Sequence, residues 1–301
     1  MISSLKITEI FCSIDDFCKE FVPMFEKQLI GKVKKRNRAS KLSLSETMTI
    51  QVLFHLSGFR NFKTFYNGYV RKHLCGHFPD LVSYNRMVEL CSDSMLPLAA
   101  YLKNFALGNC SGISFIDSTP LRVCHNRRIH NHKVFDGLAK RGQCSIGWFY
   151  GFKLHLVTSD TGEVIDFLIT PGNVDDRRPL RNKNFTKRLW GKLYGDKGYI
   201  SKELFQNLFA NGIHLVTKLR KNMKSQALTP MMDAILLRKR AIAETIIDQL
   251  KNIFQIEHSR HRSPKNFLTN LFSALIAYNF TERKPSLKKN FVDTKQLYLA
   301  L

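Results

Sequence analysis

The chain has 301 residues, 44% of them hydrophobic, enough for one large or two moderate domains with a sizeable core, which excludes disorder as the default. Its 47 Lys and Arg against 24 Asp and Glu leave a net charge of +23, which favours a polyanionic partner, nucleic acid first, over small substrates. Seven cysteines, an odd number without a Cys-x-x-Cys pair, exclude a disulfide framework or a zinc ribbon and fit reduced thiols in a cytoplasmic protein.

The charge is uneven. Residues 1–110 carry 15 basic and 9 acidic side chains, net +6, and residues 111–301 carry 32 and 15, net +17. Carboxylates are the minority in the second part, so each one in a strand or helix calls for an explanation. No apolar stretch approaches the roughly 18 residues needed to cross a bilayer, and the first residues lack the basic-then-apolar pattern of a secretory leader.

Residues 1–30 read as a weakly amphipathic helix with Ile10, Phe11, Phe17, Phe21 and Phe25 as its apolar positions. The basic stretch GKVKKRNRAS, 31–40, reads as a connector or a phosphate-contacting loop. Ser43 with Glu46 has the form of a capping box, opening a helix that ends near Gly58. Further helices are predicted over about 61–73 and from Ser83 onward. Short helices with basic connectors suit a small helical DNA-binding domain over 1–108, compatible with a helix-turn-helix type.

Near residue 111 the pattern changes. ISFIDST and PLRVC read as strand, with Pro120 expected to stop a regular central strand. GWFYGFKLHLVTSDTGEVIDFLITPGNVDD reads as two long strands joined by a turn at Ser159 to Gly162. A helix, the strand KLYGD, the helix SKELFQNLFA, the strand HLVTKL and a long final helix after Thr229-Pro230 complete an α/β domain over 109–282. Residues 283–301 read as a basic tail.

Three carboxylates stand out. Asp117 in SFIDSTP and Asp196 in LYGDKGYIS lie at the ends of short apolar strands, where an α/β sheet exposes ligand-binding side chains. For either Asp alone a turn or cap residue is the favoured reading; two of them on different strands of one basic domain shift it. Glu244 lies on the final helix, whose core face comprises Ile235, Leu236, Ile242, Ala243, Ile246, Leu250, Ile253 and Phe254. At about 100° per residue, Arg240, Glu244 and Lys251 share a different face. Such a row is either a surface ion-pair ladder or a metal and phosphate site. Three carboxylates from separate elements would suffice for a two-metal phosphodiester site, since Mg²⁺ takes a few carboxylates plus waters and phosphates. Gly195 and Gly198 are expected to allow close backbone approach to metals or DNA, and Lys197 to meet phosphate.

As a set, these motifs resemble the DDE insertion-sequence transposases of bacteria, most nearly insertion-sequence family 982. FIDSTPLRVCHNRR resembles the first-Asp region, LYGDKGYIS the second, and RAIAETIIDQLKNI with the following EHSRHRSPKNFLTNLFSALIAYNF the Glu region. The spacings are 79 positions from Asp117 to Asp196 and 48 from Asp196 to Glu244. Arg240 and Lys251 fit the Arg and Lys of a Tyr-Arg-Glu-Lys signature in related families, but Leu237 stands where the Tyr would be. The resemblance implies a ribonuclease-H-like mixed sheet flanked by helices, preceded by a small all-α domain. It implies binding to the inverted repeats at the ends of a mobile element, cleavage there, and joining of the freed 3′-OH to target DNA. Asp117, Asp196 and Glu244 would hold two Mg²⁺ ions, for which Mn²⁺ can substitute, and Arg240 and Lys251 would position phosphates. The implied partner is double-stranded DNA, engaged by a homodimer or higher multimer, in the cytoplasm and on the nucleoid, with no membrane.

Other polar clusters read differently. CHNRRIHNHK, with Cys124, His125, His130 and His132, has no common zinc-finger spacing, and Arg127, Arg128 and Lys133 in it read as DNA contacts. Asp175-Asp176 reads as a turn or helix start after Gly172. His258 and His261 lie in a basic loop whose Arg260 and Arg262 suit DNA contact, and Trp148 and Phe149 read as core or hairpin packing, with base stacking as the alternative. Two rival functions share the sequence features: DNA binding without catalysis, and a two-metal nuclease that does not join ends.

Overall fold

Local signals build the helices of the first hundred residues before any packing is considered. In the computed structural model, which describes residues 2–28, 40–145, 147–218, 230–257 and 261–287, α1 spans Ser4–Gln28 and α2 Leu44–Leu56. The capping box at α2 is formed: Ser43 Oγ accepts from the Glu46 amide at 3.1 Å, and Glu46 Oε2 accepts from the Ser43 amide at 2.7 Å. α3, Phe62–Phe65, runs through a π-helical turn at Tyr66–Val70 into α4, Arg71–His73. Ser83 caps α5, Tyr84–Asp93, by accepting from the Arg86 amide, and α6 follows at Met95–Tyr101. The expected basic connector lies, apart from Ser40, outside the described residues.

The chain divides into two compact units. One comprises Met1–Ala106, Lys133–Phe135 and Leu250–Thr281, and the other Leu107–His132, Asp136–Gln249 and Glu282–Leu301. The expected boundary of a domain running from 109 to 282 is therefore not where the contacts divide the chain. The reason is the last helix, α11, Pro264–Asn279. Leu271, Ala274, Leu275, Ile276, Ala277 and Tyr278 are all fully buried, so from Leu271 to Tyr278 α11 has no solvent stripe and needs partners around it. It finds them in α2, α5 and α6, and α2 is itself buried from Thr47 to His55.

In the second unit, β1 spans Ile113–Cys124, β2 Lys140–Cys144, β3 Gly147–Ser159, β4 Val164–Pro171, β5 Gly191–Gly195 and β6 Ile213–Thr217. The sheet order is β2-β3-β1-β5-β6, with β4 also on β3. β1, β2, β3 and β4 pair antiparallel, while β1-β5 and β5-β6 are parallel, giving the mixed sheet that was expected. Ser159 to Gly162 is the predicted hairpin turn; Gly162 has φ +81°, and a Cβ there would collide with the Pro285 carbonyl. The start of the basic tail is tied to that turn, since the Leu287 amide donates to the Asp160 carbonyl at 2.8 Å. Residues 288–301 lie outside the described residues.

Three expectations change. β1 runs through Pro120 unbroken, because beyond Phe115 it pairs only with β3 and is an edge strand, where proline is tolerated. β2 has no counterpart in the sequence reading: Lys140, Arg141, Gly142 and Gln143 give it no apolar alternation. The predicted final helix is two, α9 at Met231–Lys239 and α10 at Ala241–Asn252, with a tightened turn at Arg240, whose carbonyl accepts from the Ala243 amide at 2.9 Å. Pro230 occupies the N-cap position of α9, and the expected cap Thr229 lies outside the described residues.

Strand alternation sorts the sheet's two faces. Ile116, Leu193 and Leu215 face a core with Leu204 and Leu208 of α8, Lys202–Phe209, and Phe185 of the short α7, Lys183–Thr186. Phe115 and Tyr194, with ring centroids 5.6 Å apart, lie on the other face, which α9 covers. There Asp233 of α9 accepts from Tyr194 Oη and Lys192 Nζ, each at 2.7 Å, fixing α9 to β5. Of the predicted core face, Leu236, Ile242, Ala243, Ile246, Leu250 and Phe254 are buried, Ile235 is half-buried and Ile253 is exposed. Phe149 is core, whereas Trp148 is 57% exposed.

The all-round burial of α11 predicts that Leu275→Ala destabilises the protein by about 3 kcal/mol, from lost transfer energy plus the cavity left behind. Urea unfolding monitored by circular dichroism checks it; a midpoint equal to the parent's would show that the helix is not core.

Candidate functional site

The same alternation that buries Phe115 and Tyr194 delivers two carboxylates. Asp117 is two residues after Phe115 and Asp196 two after Tyr194, so both emerge on the face that α9 covers. β1 and β5 part company there: their parallel pairing ends at Phe115 opposite Tyr194. A crevice at the carboxyl ends of neighbouring parallel strands is where α/β sheets bind ligands.

Asp117 Oδ1 accepts from the Ser118 amide at 2.9 Å, and its Oδ2 lies 3.6 Å from Arg240 Nη1. Arg240 Nη2 donates to Glu244 Oε1 at 2.7 Å. One guanidinium therefore spans a strand carboxylate and a helix carboxylate, and it does so from the turn between α9 and α10. Asp117 is one-fifth exposed. Burial pushes its pKa up to about 6; the Ser118 amide and Arg240 pull it down, while Glu244 and Asp196 add repulsion that pushes it up. Asp117 is thus within electrostatic reach of both other carboxylates.

Asp196 is exposed and caps a short 3₁₀ turn, Lys197–Tyr199, its Oδ1 accepting from the Gly198 amide at 2.7 Å. The neighbouring glycines have a more local reason than the expected approach to metal or DNA. A Cβ on Gly195 would meet the Tyr199 ring at 3.0 Å and Ile116 at 3.3 Å, and one on Gly198 would meet Asp196 Oδ1 at 2.9 Å. They let Tyr199 seat beneath the strand end and let the backbone amide reach the carboxylate.

The structure brings together Asp117, Asp196, Arg240 and Glu244. Lys197 is exposed beside Asp196. Arg127 and Arg128 are exposed on a 3₁₀ helix, Asn126–Asn131. Lys251, in the last turn of α10, pairs with Glu257 at 2.9 Å. Arg262 is exposed, and Arg260 and His258 lie outside the described residues. Leu237, at the place of the signature Tyr, is buried.

Sequence reasoning passed over a second polar group. Asp175 is the turn residue it was read to be, paired with Arg177 Nη2 at 2.6 Å. Asp176 instead reaches back to β1, accepting from Ser118 Oγ and from Lys153 Nζ, each at 3.0 Å. The only sequence cue is the alternation of Ser118 against Asp117, which places its hydroxyl on the opposite face.

As a cation site, the set has hard oxygen donors and more negative than positive charge near Asp117, which suits Mg²⁺ or Mn²⁺ in donor chemistry. Among the described residues no three His, Cys, Asp or Glu side chains stand close enough to form a ready-made cage. Arg240 lies between two of the three candidates.

Fold and site define an α/β protein with acidic side chains where two parallel strands part, carried on a basic chain. Residues 107–264, just over half of the chain, match the transposase DDE domain, and the chain belongs to that family. No curated protein matches it. Among solved structures, the piggyBac transposase synaptic complex with hairpin DNA, determined by cryo-electron microscopy, is similar over 97% of this chain and 77% of that one, at 12% identity and a TM-score of 0.48.

The raised pKa of Asp117 predicts a pH-dependent stability. Its folded carboxyl holds a proton more tightly than an unfolded one, at 3.8, so ionising it costs stability. The cost is absent below 3.8, grows as pH rises, and is complete above about 6. In EDTA at pH 7, Asp117→Asn should be more stable than the parent by on the order of 1–2 kcal/mol, after the loss of the Arg240 pair, with the gap closing near pH 4. Urea titrations at the two pH values measure it, and an Asn variant weaker than the parent at pH 7 contradicts the assignment.

Proposed function

We propose that this chain is an insertion-sequence DDE transposase of the family 982 type, which binds the terminal inverted repeats of its element, cuts at the ends and joins the freed 3′-OH to target DNA. The observation that carries the reading is the Asp117–Arg240–Glu244 bridge with Asp196 in electrostatic reach, inside the region that matches the DDE domain. The net charge of +23 supports DNA as the partner.

Asp117, Asp196 and Glu244 are the residues that would hold two Mg²⁺ ions, or Mn²⁺ in their place. Bound there, the pair would supply positive charge to both the attacking and the leaving oxygen of an in-line displacement. In the first step water attacks phosphorus and the 3′-oxygen leaves with a proton as a free 3′-OH. In the second, that 3′-OH attacks a target phosphodiester and the target's own 3′-oxygen departs. Arg240 sits where its guanidinium can turn from the carboxylates to a phosphate, a group whose oxygens match its fork. Lys251, Lys197, Arg127, Arg128, Arg260 and Arg262 are proposed to contact the DNA backbone, which fixes register without reading sequence. Two element ends must be held at once, so the active form is proposed to be a homodimer or higher multimer on DNA. Among the described residues no helix is long and apolar enough to cross a membrane.

The test is cleavage of a duplex carrying the DNA that borders the reading frame. Asp196→Ala and Glu244→Gln should each slow cleavage by more than about a thousand-fold, because each removes part of the charge stabilising the transition state, while the duplex still binds. EDTA should do the same to the parent. Joining of a labelled 3′-OH end to a second duplex distinguishes a transposase from a nuclease of the same fold. If Asp196→Ala cuts as fast as the parent, the site is elsewhere.

A further inference from the structure

β1 loses a neighbour where the site begins. Its pairing with β5 ends at Phe115, whereas its pairing with β3 continues through Asp117 opposite Leu156 and Ser118 opposite His155. The segment that carries Asp117 is therefore laddered on one side only. Ser118 alternates with Asp117 and sends its hydroxyl to the opposite face of the sheet, where it donates to Asp176 Oδ1 at 3.0 Å.

Asp176 is itself held. Lys153 Nζ donates to the same oxygen at 3.0 Å and to the Val174 carbonyl at 3.0 Å, and the Lys153 side chain is only 12% exposed. His155 is fully buried beside them, its Nε2 2.9 Å from the Thr170 hydroxyl and its Nδ1 3.9 Å from Asp176 Oδ1, beyond hydrogen-bond reach. The charge that answers Asp176 is thus the Lys153 ammonium. With its Oδ1 taken by an ammonium and a hydroxyl, behind the sheet, Asp176 is placed as a support and not as a cation ligand. One residue, Ser118, links the two sides: its hydroxyl holds Asp176 and its amide holds Asp117 Oδ1 at 2.9 Å.

We propose that Asp176, fixed by Lys153, is a positioning residue for Asp117: it pins Ser118 from behind the sheet and so sets the direction in which Asp117 leaves the splayed end of β1. The proposal rests on the three-carboxylate reading above. Partners behind a metal-binding carboxylate typically change metal affinity by about 10- to 100-fold when removed.

The experiment is Mn²⁺ titration of the full-length protein bound to the border duplex, read by electron paramagnetic resonance of the free ion, with no turnover needed. Asp176→Asn, Lys153→Met and Ser118→Ala should each weaken Mn²⁺ binding by about ten-fold or more, with the Kd for the duplex unchanged. Asp175→Asn, next to Asp176 but paired with Arg177, should bind Mn²⁺ like the parent. A purely structural role would lower the unfolding midpoint and leave the Mn²⁺ titration of the folded protein where it was. If Asp176→Asn does not fold, Ser118→Ala, which removes only the hydroxyl link, decides the matter. Should Asp117→Asn weaken Mn²⁺ binding while Asp176→Asn and Ser118→Ala leave it intact, the positioning role is refuted and the three-carboxylate reading stands. Should Asp117→Asn also leave it intact, that reading fails and takes this one with it.

Discussion

The second unit is organised around a repulsion. Asp117, Glu244 and Asp196 are brought near enough that the latter two raise the pKa of the first, in a place where burial already disfavours ionisation. Proteins do not gather carboxylates for stability, because like charges disfavour one another. Arg240 lessens the cost without removing it, since Asp117 remains raised to about 6 with the guanidinium 3.6 Å away. A fold that keeps such an arrangement stores a demand for positive charge, and the surrounding elements keep that demand in place.

The sheet sets the positions. β1 and β5 run parallel for three paired residues, then separate, and the next outward-facing residue on each strand is an Asp. Because the side-chain period is two, a one-residue slip of either strand would send its Asp to the α8 face and bury it among Ile116, Leu193 and Leu204. Asp233 then fixes the helix that leads to Arg240, bonding the Tyr194 hydroxyl on the strand that ends at Asp196. The helix carboxylate is thus tied to the strand that leads to Asp196, β5, through Asp233 and one turn.

Much of this was legible in the residues. The capping box at Ser43, the hairpin turn at Ser159 to Gly162 and the helix-sheet alternation after residue 190 are local signals, each complete within a few residues. Asp117 and Asp196 could be singled out because an apolar run precedes each in a basic chain, and Glu244 because Arg240 and Lys251 share its helical face. What local patterns could not show depends on distant partners. Pro120 is tolerated because β5 has already left β1, a fact about pairing and not about Pro120. α11 belongs with the N-terminal helices because it is apolar all round, yet an apolar helix does not name the surface it will fill. Asp176 read as a turn residue because its neighbour Asp175 is one; its Oδ1 meets Ser118 only once β3 and β4 have brought the loop after Pro171 back over β1.

Arg240 is where the opposing charges of the chain meet. In a protein of net charge +23, cations on the surface attract any polyanion, and attraction alone confers no chemistry. Chemistry in the proposed reaction needs the opposite sign at one point, to hold the ions that a phosphodiester requires, and that point must survive while no ion is bound. A guanidinium does this better than an ammonium. It is never deprotonated, and its fork reaches Asp117 with Nη1 and Glu244 with Nη2 at the same time. In the proposed reaction, divalent charge held by the carboxylates would free the same fork for a phosphate, whose oxygens offer equivalent acceptors. The tightened turn at Arg240 places that exchange between α9, which Asp233 fixes to β5, and α10, which carries Glu244. On the proposed reading, the residue that now pairs with two of the carboxylates would also be the one that meets the substrate phosphate.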